Sequence, residues 1–256
     1  MPKLWLNDKH IGSVKGILFD KDGTLANSEN YLVELAKRRI QAIQQVLKSV
    51  RTNDSVEIKS LLENLYGINN NYLDPSGLLA IASKKDNLIA TATIIYMHGE
   101  SWPDATKIAI DSFALAENLM IEKNTNSREL LPGVKDLFIR LQSAGISAAL
   151  ISNDTEEGIA NFIKENGLQK IIKQYWSAED NPPKPNPAAV KGLCNKIDLD
   201  PSECALIGDA DSDLRMAQEA GIAISIGYIS GWKKRIQLSQ QEHLIIHWDD
   251  LGLTKS

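Results

Sequence analysis

Short, almost continuously apolar runs that stop abruptly at polar clusters constrain this chain more than any other feature. Val14–Phe19 ends at Asp20, and "ISAALI" (146–151) ends at Ser152, Asn153 and Asp154. "CALI" (204–207) ends at Gly208 and Asp209, and "IAISI" (222–226) ends at Gly227. A fifth run covers Leu244–His247, and "KLWL" around Trp5 reads as an extra edge strand. Strands so apolar on both faces belong in a parallel sheet covered on both sides. Between them lie helical patterns. "PGVKDLFIRLQSAG" spaces Val134, Leu137, Phe138 and Leu141 as a helix between Pro132 and Gly145, and "DLRMAQEAG" spaces Leu214, Ala217 and Ala220 likewise before Gly221. This alternation predicts an open, parallel α/β sheet. In such sheets ligands bind beyond the carboxyl ends of the strands, which is where the polar clusters fall.

Residues 26–129 behave differently. Tyr31–Val50 carries an apolar stripe of Val33, Ala36, Ile40, Ile43, Leu47 and Val50, and Val56–Tyr66 and Asn87–Met97 read as further helices. Trp102-Pro103-Asp104 reads as a helix start, with the helix running to about Met120. "EKNTNSRE" then reads as a linker. The expected organisation is an α/β core from 1–25 and 130–256, interrupted after its first strand by an all-helical insertion, 26–129.

Composition narrows the class. With 28 Lys plus Arg against 33 Asp plus Glu, the formal net charge is −5, which argues against a general nucleic-acid binder. An acidic protein that handles an anion must build a local positive site. Cys194 and Cys204 read as buried free thiols filling the core. The first ten residues hold charges and no long apolar core, and no stretch approaches the length of a membrane span. A cytoplasmic enzyme, with no membrane or nucleic-acid partner, is expected.

Three strand ends converge on one crevice. The first brings Asp20 and Asp22, the second Ser152 and Asn153, and the third Asp209, Asp211 and Asp213. Lys184 lies in the loop "NPPKPNP" between the second and the third. Several carboxylates in one small volume are costly unless a cation sits among them, and hard oxygen donors suit Mg²⁺. Lys184 supplies a point charge for phosphate, Ser152 a hydroxyl donor, and the turn after Asp20 a nest of N–H groups made possible by Gly23. Such a set describes a phosphoryl site. Asp20, at the strand terminus, is placed to attack phosphorus, with Asp22 as acid and then base. Lys21 is expected to turn its side chain to solvent.

These residues resemble four motifs of the haloacid dehalogenase superfamily, in order. "DKDGTL" is similar to DxDGT, "LISND" to the strand ending in Ser or Thr, "PPKPNP" to the lysine motif, and "LIGDADSD" to GDxxxD. The insertion resembles the helical cap of the phosphoglycolate phosphatase-like subgroup. The resemblance implies a Rossmann-like core with an all-helical cap. It implies Asp20 as nucleophile and Asp22 as general acid/base. Mg²⁺ would be held by the Asp20 carboxylate, the Asp22 carbonyl and Asp209, and phosphate by Ser152, Asn153 and Lys184. Asp213 would support the metal or Lys184. The expected function is a Mg²⁺-dependent phosphatase acting on a small phosphorylated metabolite through an aspartyl phosphate, as a monomer or homodimer. Candidate substrates are 2-phosphoglycolate, a sugar phosphate or a nucleoside monophosphate. A phosphomutase is the alternative, and a non-catalytic binding protein a third.

Other residues carry blander expectations. Asp154 caps the following helix, Asp211 is a solvated loop acid, Arg38 and Arg39 lie on a solvated helix face, and Trp102 packs within the insertion.

Overall fold

The computed structural model describes residues 1–48, 55–69, 72–122 and 128–255. The chain forms two compact units, one from 1–27 and 128–256 and the other from 28–127.

The first unit holds a sheet of six parallel strands: β3 (Gly16–Phe19), β6 (Ser147–Ile151), β7 (Ile172–Trp176), β8 (Cys204–Gly208), β9 (Ile224–Tyr228) and β10 (His243–Ile245). Their order is β10-β9-β8-β3-β6-β7. β3 is central, pairing in parallel with β6 on one side and β8 on the other, so Phe19 faces Leu150 and Ile207. The chain leaves β3 for β6 and β7, then crosses back to β8, which makes the β3 terminus the topological switch point. The strands are apolar because both faces are covered, by α6 (Val134–Ala144) and α7 (Glu156–Glu165), and by α8 (Pro187–Lys196) and α9 (Asp211–Ala220). The α6 helix ends where Gly145 turns into left-handed backbone, a conformation glycine adopts without steric cost.

"KLWL" is not an edge strand of this sheet. It forms β1 (Lys3–Leu6), the middle of a separate antiparallel sheet between β2 (Lys9–Ser13) and β11 (Leu251–Thr254). Leu4 of β1 and Leu251 of β11 are both buried in the main core, which ties this small sheet down. Cys194 and Cys204 are buried free thiols with their Sγ atoms 3.9 Å apart, as their apolar context led us to expect.

The second unit is built from α1 (Glu29–Lys48), α2 (Ser55–Tyr66), α3 (Leu78–Ile81), α4 (Lys84–Met97) and α5 (Trp102–Glu122). Val33, Ala36, Ile40 and Ile43 of α1 are buried, whereas Val50 lies outside the described residues. The unit is not entirely helical. Gly67 takes φ 72° and lets the chain leave α2 into β4 (Ile68–Asn69), which pairs with β5 (Tyr72–Leu73). Arg39 is not on a solvated face. It is 4% exposed, with its guanidinium 3.7 Å from the centre of the Phe113 ring, because a flat, weakly hydrated cation can stack on an aromatic face. Arg38 is half-buried, with its Nε 2.7 Å from Glu34. Trp102 lies edge-on to Tyr96 and stays half-exposed.

Candidate active site

The carboxyl end of β3 carries the centre of the site. The Asp20 N–H continues the ladder by donating to Ile207 O at 2.9 Å, which holds this acid rigidly. The chain then turns tightly, with Leu25 and Ala26 N–H groups both donating to Lys21 O and Gly23 N–H to Ala26 O. Gly23 has φ 80°, and a Cβ there would lie 2.1 Å from the Trp232 indole nitrogen, so the position admits only glycine. This turn consumes the N–H groups of Gly23, Thr24, Leu25 and Ala26 internally. These four groups are therefore not the donors of the anion nest expected from the sequence.

Two separate charge clusters meet here. In the first, Lys184 Nζ lies 2.6 Å from Asp20 Oδ1 and 2.7 Å from Asp213 Oδ1. Lys184 reaches this place because the Trp176 indole donates to Pro182 O at 2.9 Å, anchoring the proline-rich loop, and Asn186 caps α8 directly after it. Asp209 completes the group. Its Oδ1 accepts from Thr24 Oγ1 at 2.9 Å and its Oδ2 from Trp232 Nε1 at 2.6 Å. Burial pushes Asp20 up to about 6 despite Lys184, and Asp213 adds to the push. Burial raises Asp209 well above its ordinary value, helped by the charges of Asp20 and Asp213. Burial alone would lower Lys184, but Asp20 and Asp213 override it and raise the ammonium above its usual range.

Among the described residues, Asp20, Asp209 and Asp213 form a group whose carboxylate oxygens lie within 4.8 Å of one another and could hold a metal ion. The donor set fits a hard divalent cation. It is oxygen only, it is buried, and its three carboxylates outnumber the single lysine. Each Asp209 oxygen accepts one hydrogen bond and keeps a second lone pair for a cation.

The second cluster surrounds Asp22. Lys21 is 0% exposed, contrary to the expected solvated side chain. Its Nζ lies 2.6 Å from Asp22 Oδ2 and 2.9 Å from Asp154 Oδ2. Arg128 Nη1 lies 2.8 Å from Asp154 Oδ2 and 3.4 Å from Asp22 Oδ1. Burial would raise Asp22, but Lys21 and Arg128 outweigh it and hold the carboxyl below its ordinary value; Asp154 is depressed by the same two cations. Asp20 and Asp22 thus each have their own cations, while the Asp22 charge still adds to the rise of Asp20.

Ser152 follows β6 directly, 2% exposed, and its Oγ accepts from Asp154 N–H at 3.2 Å. Asn153 lies beside it at the end of the same strand. Asp211 is not a bare loop acid. It accepts from Ser239 N–H and Oγ and from Gln240 N–H, which pins the loop after β9. Sequence reasoning missed Lys21, Arg128, Thr24 and Trp232. The position of Lys21 between two motif acids was the one available signal; nothing in the local pattern around Trp232 announces its indole bond to Asp209.

Residues 14–221 match the family model described as haloacid dehalogenase-like hydrolase. Among relatives, a phosphoglycolate phosphatase from Pseudomonas savastanoi pv. phaseolicola is 26% identical over 229 residues, covering 85% of this chain and 71% of the relative. A phosphoglycolate phosphatase from Vibrio vulnificus is 29% identical over 114 residues, covering 44% of this chain and 50% of the relative. Against the Vibrio relatives the matched region spans about half of their length. A solved structure of a predicted phosphoglycolate phosphatase from Haemophilus somnus superposes with a TM-score of 0.64 at 22% identity, covering 94% of this chain and 97% of that one. A β-phosphoglucomutase from Clostridium difficile superposes with a TM-score of 0.61 at 18% identity, covering 92% of each chain. At those identities the structural matches establish the shared fold.

Proposed function

Because the chain belongs to the haloacid dehalogenase-like hydrolases, we propose that it is a Mg²⁺-dependent phosphatase of small phosphomonoesters that works through a phosphoryl group carried on Asp20. The observation that carries this reading is the buried cluster in which Lys184 grips both Asp20 and Asp213, beside Asp209, at the switch point of the sheet. Asp20, Asp209 and Asp213 would hold the cation, which when bound would draw charge from the phosphoryl oxygens. The Asp22 carbonyl expected in that role is a further candidate.

Asp20 Oδ attacks phosphorus and the ester P–O bond breaks. The departing oxygen takes a proton from Asp22, leaving an alcohol and an aspartyl phosphate. Asp22, now a carboxylate, takes a proton from water as the hydroxide oxygen bonds to phosphorus. The bond between phosphorus and Asp20 breaks, and inorganic phosphate leaves. In the free protein Lys21 and Arg128 keep Asp22 ionised, so Asp22 first takes its proton from the bound substrate monoanion and then passes it to the departing oxygen. Lys184 neutralises the phosphoryl oxygens, while Ser152 and Asn153 donate to them. The helical unit follows in sequence on the turn after Asp20, the position that the resemblance gives to a cap domain.

The relatives' name supports 2-phosphoglycolate as the first ester to try. Phosphate release should be measured on a panel of small phosphomonoesters, with Mg²⁺ and with EDTA, for the native protein and Asp20→Asn. Release that needs the metal and falls by at least about 10³-fold in the variant is expected. No release from any ester would contradict this reading and favour a mutase that passes the phosphoryl group to a sugar.

A further inference from the structure

The proposed chemistry uses Asp22 but leaves the ring of charge around it unexplained. Lys21, Asp22, Arg128 and Asp154 alternate in sign, and every neighbouring pair is in contact, at 2.6, 2.9, 2.8 and 3.4 Å. A fully buried ammonium is costly, and one carboxylate would suffice to offset it. Lys21 instead touches two, and Arg128 shares both of them. Asp154 is itself fixed. Its Oδ1 accepts from Thr155 N–H at 2.9 Å, and Thr155 caps α7 by accepting from Gly158 N–H. A Cβ on Gly158 would lie 2.4 Å from an Asp154 oxygen, so the carboxylate is seated tightly against the first turn of that helix. The order of support therefore runs from α7 to Asp154, from Asp154 to the two cations, and from the cations to Asp22.

We propose that Asp154 and Lys21, together with Arg128, are positioning residues for the acid/base. The Lys21 ammonium takes Asp22 Oδ2 and the Arg128 guanidinium takes Oδ1, and Asp154 fixes both cations. A carboxylate held at both oxygens has its plane defined and cannot swing away from the ester oxygen it must serve. This inference rests on the phosphatase reading, in which Asp22 passes the proton to the departing oxygen.

Leaving-group dependence separates positioning from a merely structural role. An alkyl phosphate needs its oxygen protonated as the P–O bond breaks, whereas the nitrophenolate of p-nitrophenyl phosphate departs without a proton. Lys21→Met keeps the length and apolar stem of the side chain beside the Phe162 ring, and Asp154→Asn keeps its shape. For each variant we expect kcat on 2-phosphoglycolate or glycerol phosphate to fall about tenfold or more, against less than about threefold on p-nitrophenyl phosphate, with KM little changed. In an Asp22→Asn background neither substitution should lower kcat further. Melting curves identify any variant that has lost its fold, and the other variant then carries the test. Equal fractional loss on both esters, or additive loss in the Asp22→Asn background, would overturn the proposal. If the native protein released phosphate from neither ester, the phosphatase reading would fail and take this inference with it. That result differs from the others because it appears before any substitution is made.

Discussion

Asp20 and Asp22 stand two residues apart, yet their side chains answer to different partners: Lys184 for the first, Lys21 and Arg128 for the second. The proximity of two acids in sequence was legible, and so was the gathering of Asp20 with Asp209 and Lys184. The solution to their repulsion was not. A lysine between two acids after a strand reads as solvated, because nothing in the local pattern reveals that Asp154 and Arg128, both distant in sequence, return to bury it. The ring has a consequence for stability. Asp154 is held below the ordinary aspartate value of 3.8, so its ion pairs contribute fully above that value and are lost as pH falls below it. Asp154→Asn should therefore cost about 1–2 kcal/mol near pH 7, and the gap in Tm from the native protein should close as pH falls below about 4, read from thermal melts across pH. A gap that stays constant with pH would show that the loss is one of packing and not of charge.

At the scale of elements, the strands of the sheet interior were readable because continuous apolar runs have one stable use in an α/β core. β7 escaped because it is an edge strand with Lys173 and Gln174 exposed, which breaks the run. The small sheet of β1, β2 and β11 escaped because it joins residues near 4 and 253, a pairing that local patterning cannot show. The loop after β9 was invisible for a similar reason. It passes so near the turn after β3 that a Cβ on Gly231 would lie 1.6 Å from Gly23 O, and this close approach delivers Trp232 to Asp209. Groups that orient a metal-binding carboxylate commonly change metal affinity by about 10–100-fold. Trp232→Phe should keep an aromatic ring at the position, with the second ring removed, and lose the hydrogen bond to Asp209. It should weaken Mg²⁺ binding about tenfold, measured by the Mg²⁺ concentration needed to raise Tm, since a ligand of the folded state stabilises it by mass action. Unchanged Mg²⁺ dependence would show that the indole supports the loop alone.

For the whole molecule, the balance of charge frames the problem that the site solves. A chain of net charge −5 places three cations, Lys21, Arg128 and Lys184, within one unit at the ends of its parallel strands. Two of them serve the acid/base in our reading and one serves the phosphoryl group and its nucleophile. The division into a sheet and an inserted helical stretch was legible because hydrophobic period changes from continuous runs to helical spacing and back. The insertion's own detail was not, since Arg39 turns inward against Phe113 where its charge suggested water. The central claim is that Asp20 carries the phosphoryl group. It is tested most directly by mixing the protein with Mg²⁺ and substrate, quenching in acid within the first turnover, and mapping added phosphate by peptide mass spectrometry. Phosphate on the peptide holding Asp20, absent from Asp20→Asn, is the result predicted. Substrate turnover with no phosphorylated peptide, or with phosphate on another residue, would contradict the account.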